Sequence, residues 1–146
     1  MYLGNTDWLT GLTGTNRRFL PYNGGITDTQ KQWLQTTLEK AHNANEKVII
    51  FSHIPLCRGS CDDCVLLWNY EEILDIIHSF SCVIACFYGH DHSGGYCVDS
   101  RGIHHKTFES PLEAINADRT FATIHVFENQ IFIDGRGSTQ SMKLTY

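Results

Sequence analysis

Residues 82–96 read CVIACFYGHDHSGGY: an apolar run, a glycine, two histidines separated by one aspartate, then a glycine-rich turn. The run 82–88 does not alternate with polar residues, so it predicts a strand covered on both faces. Upstream, KVIIFSHIP (47–55) repeats the arrangement, with Val48–Phe51 apolar and His53 just beyond. Between the two lies NYEEILDIIHSF (69–80), which predicts a helix with Ile73, Ile76, Ile77 and Phe80 as its buried stripe. Asn69 is its expected N-cap and Glu72 the reciprocal residue. Strand, helix and strand in about 40 residues form a βαβ crossover, so the strands are expected to be parallel.

Working outward, TDTQKQWLQTTLEKAHNAN (27–45) predicts a helix capped by Thr27 with Gln30 three positions on; Leu34, Leu38 and Ala41 share a face. Beyond Gly95 the pattern changes. GIHHKTF (102–108) reads as a short strand, and FATIHVF (121–127) and QIFIDG (130–135) as a hairpin turning at Glu128–Asn129. Residues 1–25, rich in Gly, Asn and Thr and without a period, read as an irregular connecting segment before a folded unit of 26–146. The class is α/β, with parallel units first and antiparallel strands after them.

A length of 146 residues, 42% apolar and 18% charged, fits one globular domain. The net charge of −5, with no basic run beyond Arg17–Arg18, argues against capture of nucleic acid or an anionic membrane. A phosphate substrate would therefore need metal ions to neutralise it. No stretch approaches the ~18 apolar residues of a membrane helix. MYLGNTDWLT has neither the cationic start nor the apolar block of a signal peptide. Of six cysteines, Cys82 and Cys86 share a strand about 13 Å apart, too far to bridge each other. Free thiols in a reducing, cytoplasmic compartment are the expectation.

His53, His90 and His92 fall just past the carboxyl ends of buried strands, where α/β proteins place their chemistry. Read as extended, His90 and His92 point the same way about 6.5 Å apart, with Asp91 opposite and left to turn hydrogen bonds. That spacing suits one histidine on each of two metal ions about 3.5–4 Å apart. A lone histidine at a strand end is ordinarily a solvated polar residue. G-H-x-H after one strand and S-H-x-P after its neighbour favour ligation.

Other candidates each carry a plainer alternative. Cys57, Cys61 and Cys64 form C-x3-C-x2-C without a fourth ligand at motif spacing. They are either a zinc site or loop thiols at the mouth of the cleft, where Cys57 would contact substrate. Trp68 and Asn69, at a helix start, either meet a nucleobase or anchor the helix on the core. Glu109 is a cleft carboxylate or an exposed one. Arg136, between two glycines, offers a guanidinium to phosphate. His78 and His125, and at least one of His104 and His105, read as ordinary surface or core residues.

Ser52-His53-Ile54-Pro55 and Gly89-His90-Asp91-His92 resemble the last two motifs of the calcineurin-like metallophosphoesterases. GGITDTQKQWLQTTLEKA, VIIFSHIPL, WNYEEILDII, CFYGHDHSGGY and FATIHVFENQIFIDGRG are similar to the C-terminal half of those members that split ADP-ribose and CDP-alcohols. The likeness runs from about residue 19 to residue 146. It implies the C-terminal half of an αββα sandwich of two mixed sheets. His53 and His90 would bind one divalent ion and His92 the other, with Mn2+ expected and Mg2+ the alternative. The partners would be nucleoside diphosphate-linked small molecules: ADP-ribose giving AMP and ribose 5-phosphate, CDP-choline giving CMP and phosphocholine.

The family's Asp-x-His, Gly-Asp and Gly-Asn-His motifs, which supply a bridging aspartate, further ligands and the leaving-group histidine, have no match in residues 1–52. Gly4-Asn5 is followed by Thr6 where histidine is required. No catalytic acid is assigned. Two facing divalent ions need anionic bridging, and manganese and magnesium favour oxygen donors. The expectation is a truncated form with an incomplete site. The alternative is a non-catalytic fragment with weak metal binding or an interaction role; a small zinc domain built on the cysteine loop is remoter.

Overall fold

The computed structural model of the chain describes residues 10–113 and 119–146; Gly4, Asn5 and Thr6 lie outside them. In chain order the elements are α1 (Asp28–Asn43), β1 (Val48–Phe51), α2 (Tyr70–His78), β2 (Val83–Tyr88), β3 (Gly95–Val98), β4 (His104–Thr107), β5 (Phe121–Val126), β6 (Gln130–Arg136) and β7 (Met142–Thr145). They form a four-stranded sheet in the order β1-β2-β4-β3 and a three-stranded sheet in the order β5-β6-β7. β1 and β4 both run parallel to β2, β3 is antiparallel to β4, and the second sheet is antiparallel throughout.

Burial explains why the central run does not alternate. Val83, Cys86 and Tyr88 pack with Leu38 and Ala41 of α1 and Ile73 and Ile77 of α2. Ile84, Ala85 and Phe87 pack on the other side against Ile131, Ile133 and Leu144 of the second sheet. The layers are therefore helices, first sheet, second sheet, with β2 buried along its whole length. Each fully buried Leu or Ile here contributes about 1.5–3 kcal/mol relative to exposure. β1 lies at one edge of its sheet, and Phe51 there is 69% exposed.

α1 starts as its sequence dictates, with the Thr27 hydroxyl accepting from Gln30 N at 3.4 Å. α2 does not. Asn69 precedes it but makes no side-chain cap. Its amide instead clamps Ile26, accepting from the backbone N at 2.9 Å and donating to the carbonyl at 2.8 Å. An asparagine amide carries donor and acceptor together, so it can pair with a passing strand-like residue as another backbone would. Asn69→Ala is expected to cost about 1–2 kcal/mol in urea unfolding. Asn69→Asp should recover little of it, because a carboxylate cannot donate to the Ile26 carbonyl.

Of the segment before residue 26, the described residues 10–25 are packed rather than loose. They contain a 3-10 turn at Gly14–Arg18 and bury Arg18, Leu20 and Asn23. Arg18 Nε donates to the Trp68 carbonyl at 2.7 Å and its guanidinium lies 3.6 Å from Glu71. The turn at Gly14–Arg18 is thereby latched onto the start of α2. Among the described residues no helix is long and apolar enough to cross a membrane.

Candidate metal centre

The parallel pairing of β1 and β2 continues past both strands: Ser52 N donates to the Phe87 carbonyl at 3.1 Å and Gly89 N to the His53 carbonyl at 3.0 Å. His53 and His90 are thus carried side by side on adjoining strand ends. Their ring centres are 5.1 Å apart, nearly edge to face. Gly89 eases this approach, since a Cβ there would sit 3.3 Å from His53 Nδ1, a tight contact. An ion about 2.1 Å from one nitrogen of each ring holds two imidazole centres on the order of 5 Å apart, so the pair fits one ion.

His90 and His92 do not lie on an extended segment. His90 has φ 66°, in the left-handed region, and Asp91 N closes onto the Gly89 carbonyl at 2.8 Å. The backbone turns at the first histidine, and the period-two spacing read from the sequence does not apply. Asp91 makes turn hydrogen bonds, accepting from Asp62 N at 2.8 Å and from Ser93 N at 3.0 Å. A further bond, from Ser110 N to the His92 carbonyl at 3.0 Å, pins the end of the loop.

Each loop histidine has one ring nitrogen already engaged. His90 Nε2 lies 2.7 Å from Asn23 Oδ1, and His92 Nδ1 lies 3.0 Å from Glu113 Oε1. Orienting a histidine through its second nitrogen is the usual support of a metal ligand. Burial, and then the nearby His53 and His92, hold the His90 pKa below its ordinary value, leaving it neutral and able to donate a lone pair. A cavity of about 340 Å3 lined by Phe51, Ser52, His53, Phe87, Tyr88, Gly89 and Phe108 opens beside these strand ends. Among the described residues no three His, Cys, Asp or Glu side chains form a set that could hold an ion by themselves. The donor set is two imidazoles and one more, and it needs oxygen ligands from elsewhere.

Comparison with known proteins sharpens this picture. The chain is 42% identical over 131 residues to the manganese-dependent ADP-ribose/CDP-alcohol diphosphatase of Arabidopsis thaliana, covering 90% of the chain and 42% of that protein. It is 37% identical over 137 residues to the Xenopus laevis protein of the same name, covering 94% of the chain and 38% of the relative. A crystal structure of a dimetal phosphatase from Danio rerio superposes with a TM-score of 0.87 at 36% identity, over 92% of the chain and 43% of that structure. The chain is similar to these diphosphatases along part of their length. It spans about two-fifths of the curated relatives it matches. No family model matches it.

The other residues singled out in the sequence are placed elsewhere or are already engaged. Cys57 is buried with its sulfur 3.5 Å from Cys97 Sγ, so it does not line an open mouth. Cys61 turns to the Cys57 carbonyl and burial pushes its thiol up to about 12; these cysteines do not converge into a zinc site. Trp68 anchors the packed segment through its indole N–H, 3.3 Å from the Leu20 carbonyl. Asn69 has both amide atoms on Ile26. Glu109 pairs with Lys106 at 2.8 Å beside the site loop. Arg136 folds back onto Asp134 at 2.8 Å within β6, in the second sheet. What the sequence did not disclose is Asn23 and Glu113. Asn23 stands in a Tyr-Asn-Gly-Gly stretch that resembles any turn, and its contact with His90 spans 67 positions.

Proposed function

We propose that this chain supplies the histidine part of a two-metal site that hydrolyses the phosphoanhydride of nucleoside diphosphate-linked compounds. The observation carrying this is the His53–His90 pair at 5.1 Å on adjoining parallel strand ends. His53 and His90 would hold one ion and His92 the other, with manganese suggested by the relatives' name. When bound, the ions supply Lewis-acid charge for the phosphate oxygens and acidify a water. The chain's own work is to fix three imidazoles: two from strand ends that cannot separate, and one tethered by Glu113. By the family resemblance, the bridging carboxylate and the leaving-group acid would come from motifs that residues 1–52 do not contain. ADP-ribose and CDP-alcohols are the proposed substrates. Six free cysteines, with Cys57 and Cys97 3.5 Å apart and unbridged, favour a cytoplasmic setting.

The test uses the 146-residue chain and a chimera in which it replaces the matching region of a full-length relative. The chain alone, given Mn2+ with ADP-ribose or CDP-choline, should show negligible turnover, and His90→Ala should change nothing. The chimera should hydrolyse both, and His90→Ala there should lower kcat/KM by on the order of 10^3-fold, the value of several kcal/mol of lost charge stabilisation. Robust turnover by the chain alone, abolished by His90→Ala, would show that its own residues suffice and sink the partial-site reading. An active chimera indifferent to His90→Ala would remove His90 from the centre. An inactive one would favour the non-catalytic fragment.

A further inference from the structure

We infer that Asn23 is a positioning residue for His90: it holds the imidazole as the Nε2–H tautomer and so reserves Nδ1 for the metal. The inference rests on the two-metal reading above and goes further, since it names which nitrogen coordinates and what decides it.

Asn23 is buried, and its amide is fully committed. Nδ2 donates to the Arg18 carbonyl and to the Cys64 carbonyl, both at 2.7 Å. Neither carbonyl can donate, so reversing the amide would set Oδ1 against two acceptors and leave Nδ2 facing the imidazole. The orientation is therefore fixed by the two carbonyls, and Oδ1 is the atom left for His90, 2.7 Å from Nε2. A carbonyl oxygen only accepts. Nε2 must then carry the hydrogen, and the neutral ring keeps its lone pair on Nδ1. Among the described residues, the hydrogen bond that His90 makes is through Nε2, not Nδ1.

The cradle is itself restrained. Asn23 N donates to the Leu20 carbonyl at 3.0 Å, and Trp68 N donates to the Gly24 carbonyl at 2.8 Å. The Tyr22 ring centre lies 6.0 Å from that of His90. The packed segment before α1 thus acts on the metal centre from a distance in sequence, through one amide.

The test compares Asn23→Leu with Asn23→Asp in the full chain, using Zn2+ as the probe because imidazole suits it. Asp keeps an acceptor for His90 but loses both donors to the carbonyls; Leu loses everything. Long-range 1H–15N spectra of the wild-type imidazoles should show Nε2 protonated in metal-free His90, and Zn2+ should move the Nδ1 signal. Both variants should lose thermal stability. Zn2+ affinity read at His90 should fall 10–100-fold in the Leu variant but stay within about threefold of wild type in the Asp variant.

Equal losses of affinity in the two variants would make Asn23 merely structural and overturn the proposal. So would a metal-free ring protonated at Nδ1, or Zn2+ that moves His53 and His92 without His90 Nδ1; the two-metal reading survives each of these. Zn2+ that moves none of the three histidines, in the chain or in the chimera, removes the metal reading, and this one with it.

Discussion

Asp99→Ala is expected to destabilise the chain by about 2–3 kcal/mol, the upper range for leaving buried hydrogen-bond donors without their charged acceptor. Asp99 is just past β3, and its side chain is 7% exposed. Oδ2 accepts from His78 Nε2 at 2.8 Å and from His105 Nε2 at 3.0 Å. Oδ1 accepts from Arg101 N at 2.8 Å and from Ile103 N at 2.9 Å, which shapes the turn into β4. His105 is 0% exposed, and its other nitrogen takes the Tyr88 hydroxyl at 2.7 Å. Alanine would leave the His105 N–H without a partner in the interior, the costly half of a broken hydrogen bond. Asn at this position can face either the imidazoles or the backbone amides with its oxygen, not both, and should cost about half as much. Urea unfolding with an unchanged slope checks the ordering. A loss under about 1 kcal/mol for the alanine variant would mean that water substitutes for the carboxylate.

The same cluster sets the acid limit of the fold. Burial presses the Asp99 pKa upward, but the bonds from His105, His78 and the two amides outweigh it and hold the carboxyl below its ordinary value. Burial lowers the His105 pKa despite the opposing pull of Asp99. In both cases the unfolded chain binds the proton more readily, so stability rises with pH through each transition. The His105 contribution therefore begins to be lost as pH drops below about 6.5, the unfolded value, and that of Asp99 below about 3.9. Asp99→Asn should remove the second step.

How much of this was legible depended on whether the cause was local. β1, α2 and β2 follow from unbroken apolar runs and one amphipathic stripe, and their parallel pairing follows from the length of the crossover. That alone placed His53, His90 and His92 at adjoining strand ends. The loop conformation was not legible, because φ 66° at His90 accompanies bonds from Asp91 N to the Gly89 carbonyl and from Ser110 N to the His92 carbonyl, which no spacing in the sequence announces. β3 and β7 were missed because Gly-Tyr-Cys-Val and Met-Lys-Leu-Thr become strands only through their neighbours β4 and β6. Cys57, Asn69 and Arg136 looked like substrate contacts because polar groups near a motif invite that reading. Each has a protein partner a few ångströms away that no spacing rule reveals.

Gly95→Ala is the second substitution with a large expected effect, about 3 kcal/mol from overpacking, or a Tm about 10 °C lower. A Cβ at Gly95 would collide with the carbonyl oxygen of Ser60, lie 2.7 Å from its carbon and 3.3 Å from Cys61 N. These are backbone atoms, and the backbone cannot swing aside as a side chain can. Nor is the Ser60 loop free to retreat. Ser60 is fully buried, its N donates to the Cys57 carbonyl at 3.2 Å and its hydroxyl to the same carbonyl at 2.7 Å. Relief must then come from the other side, where Gly95 opens β3 directly after the histidine loop and pairs with Thr107. Displacing it would carry His92 with it, so the variant should lose Zn2+ affinity at His92 along with stability. Gly24→Ala is the control: its Cβ would meet only Ile54 Cδ1 at 3.8 Å, an ordinary contact, and should change stability by less than about 0.5 kcal/mol. If Gly95→Ala melts as the control does, the cysteine loop must yield more readily than its two bonds to the Cys57 carbonyl allow, and the histidine loop does not depend on it for its shape.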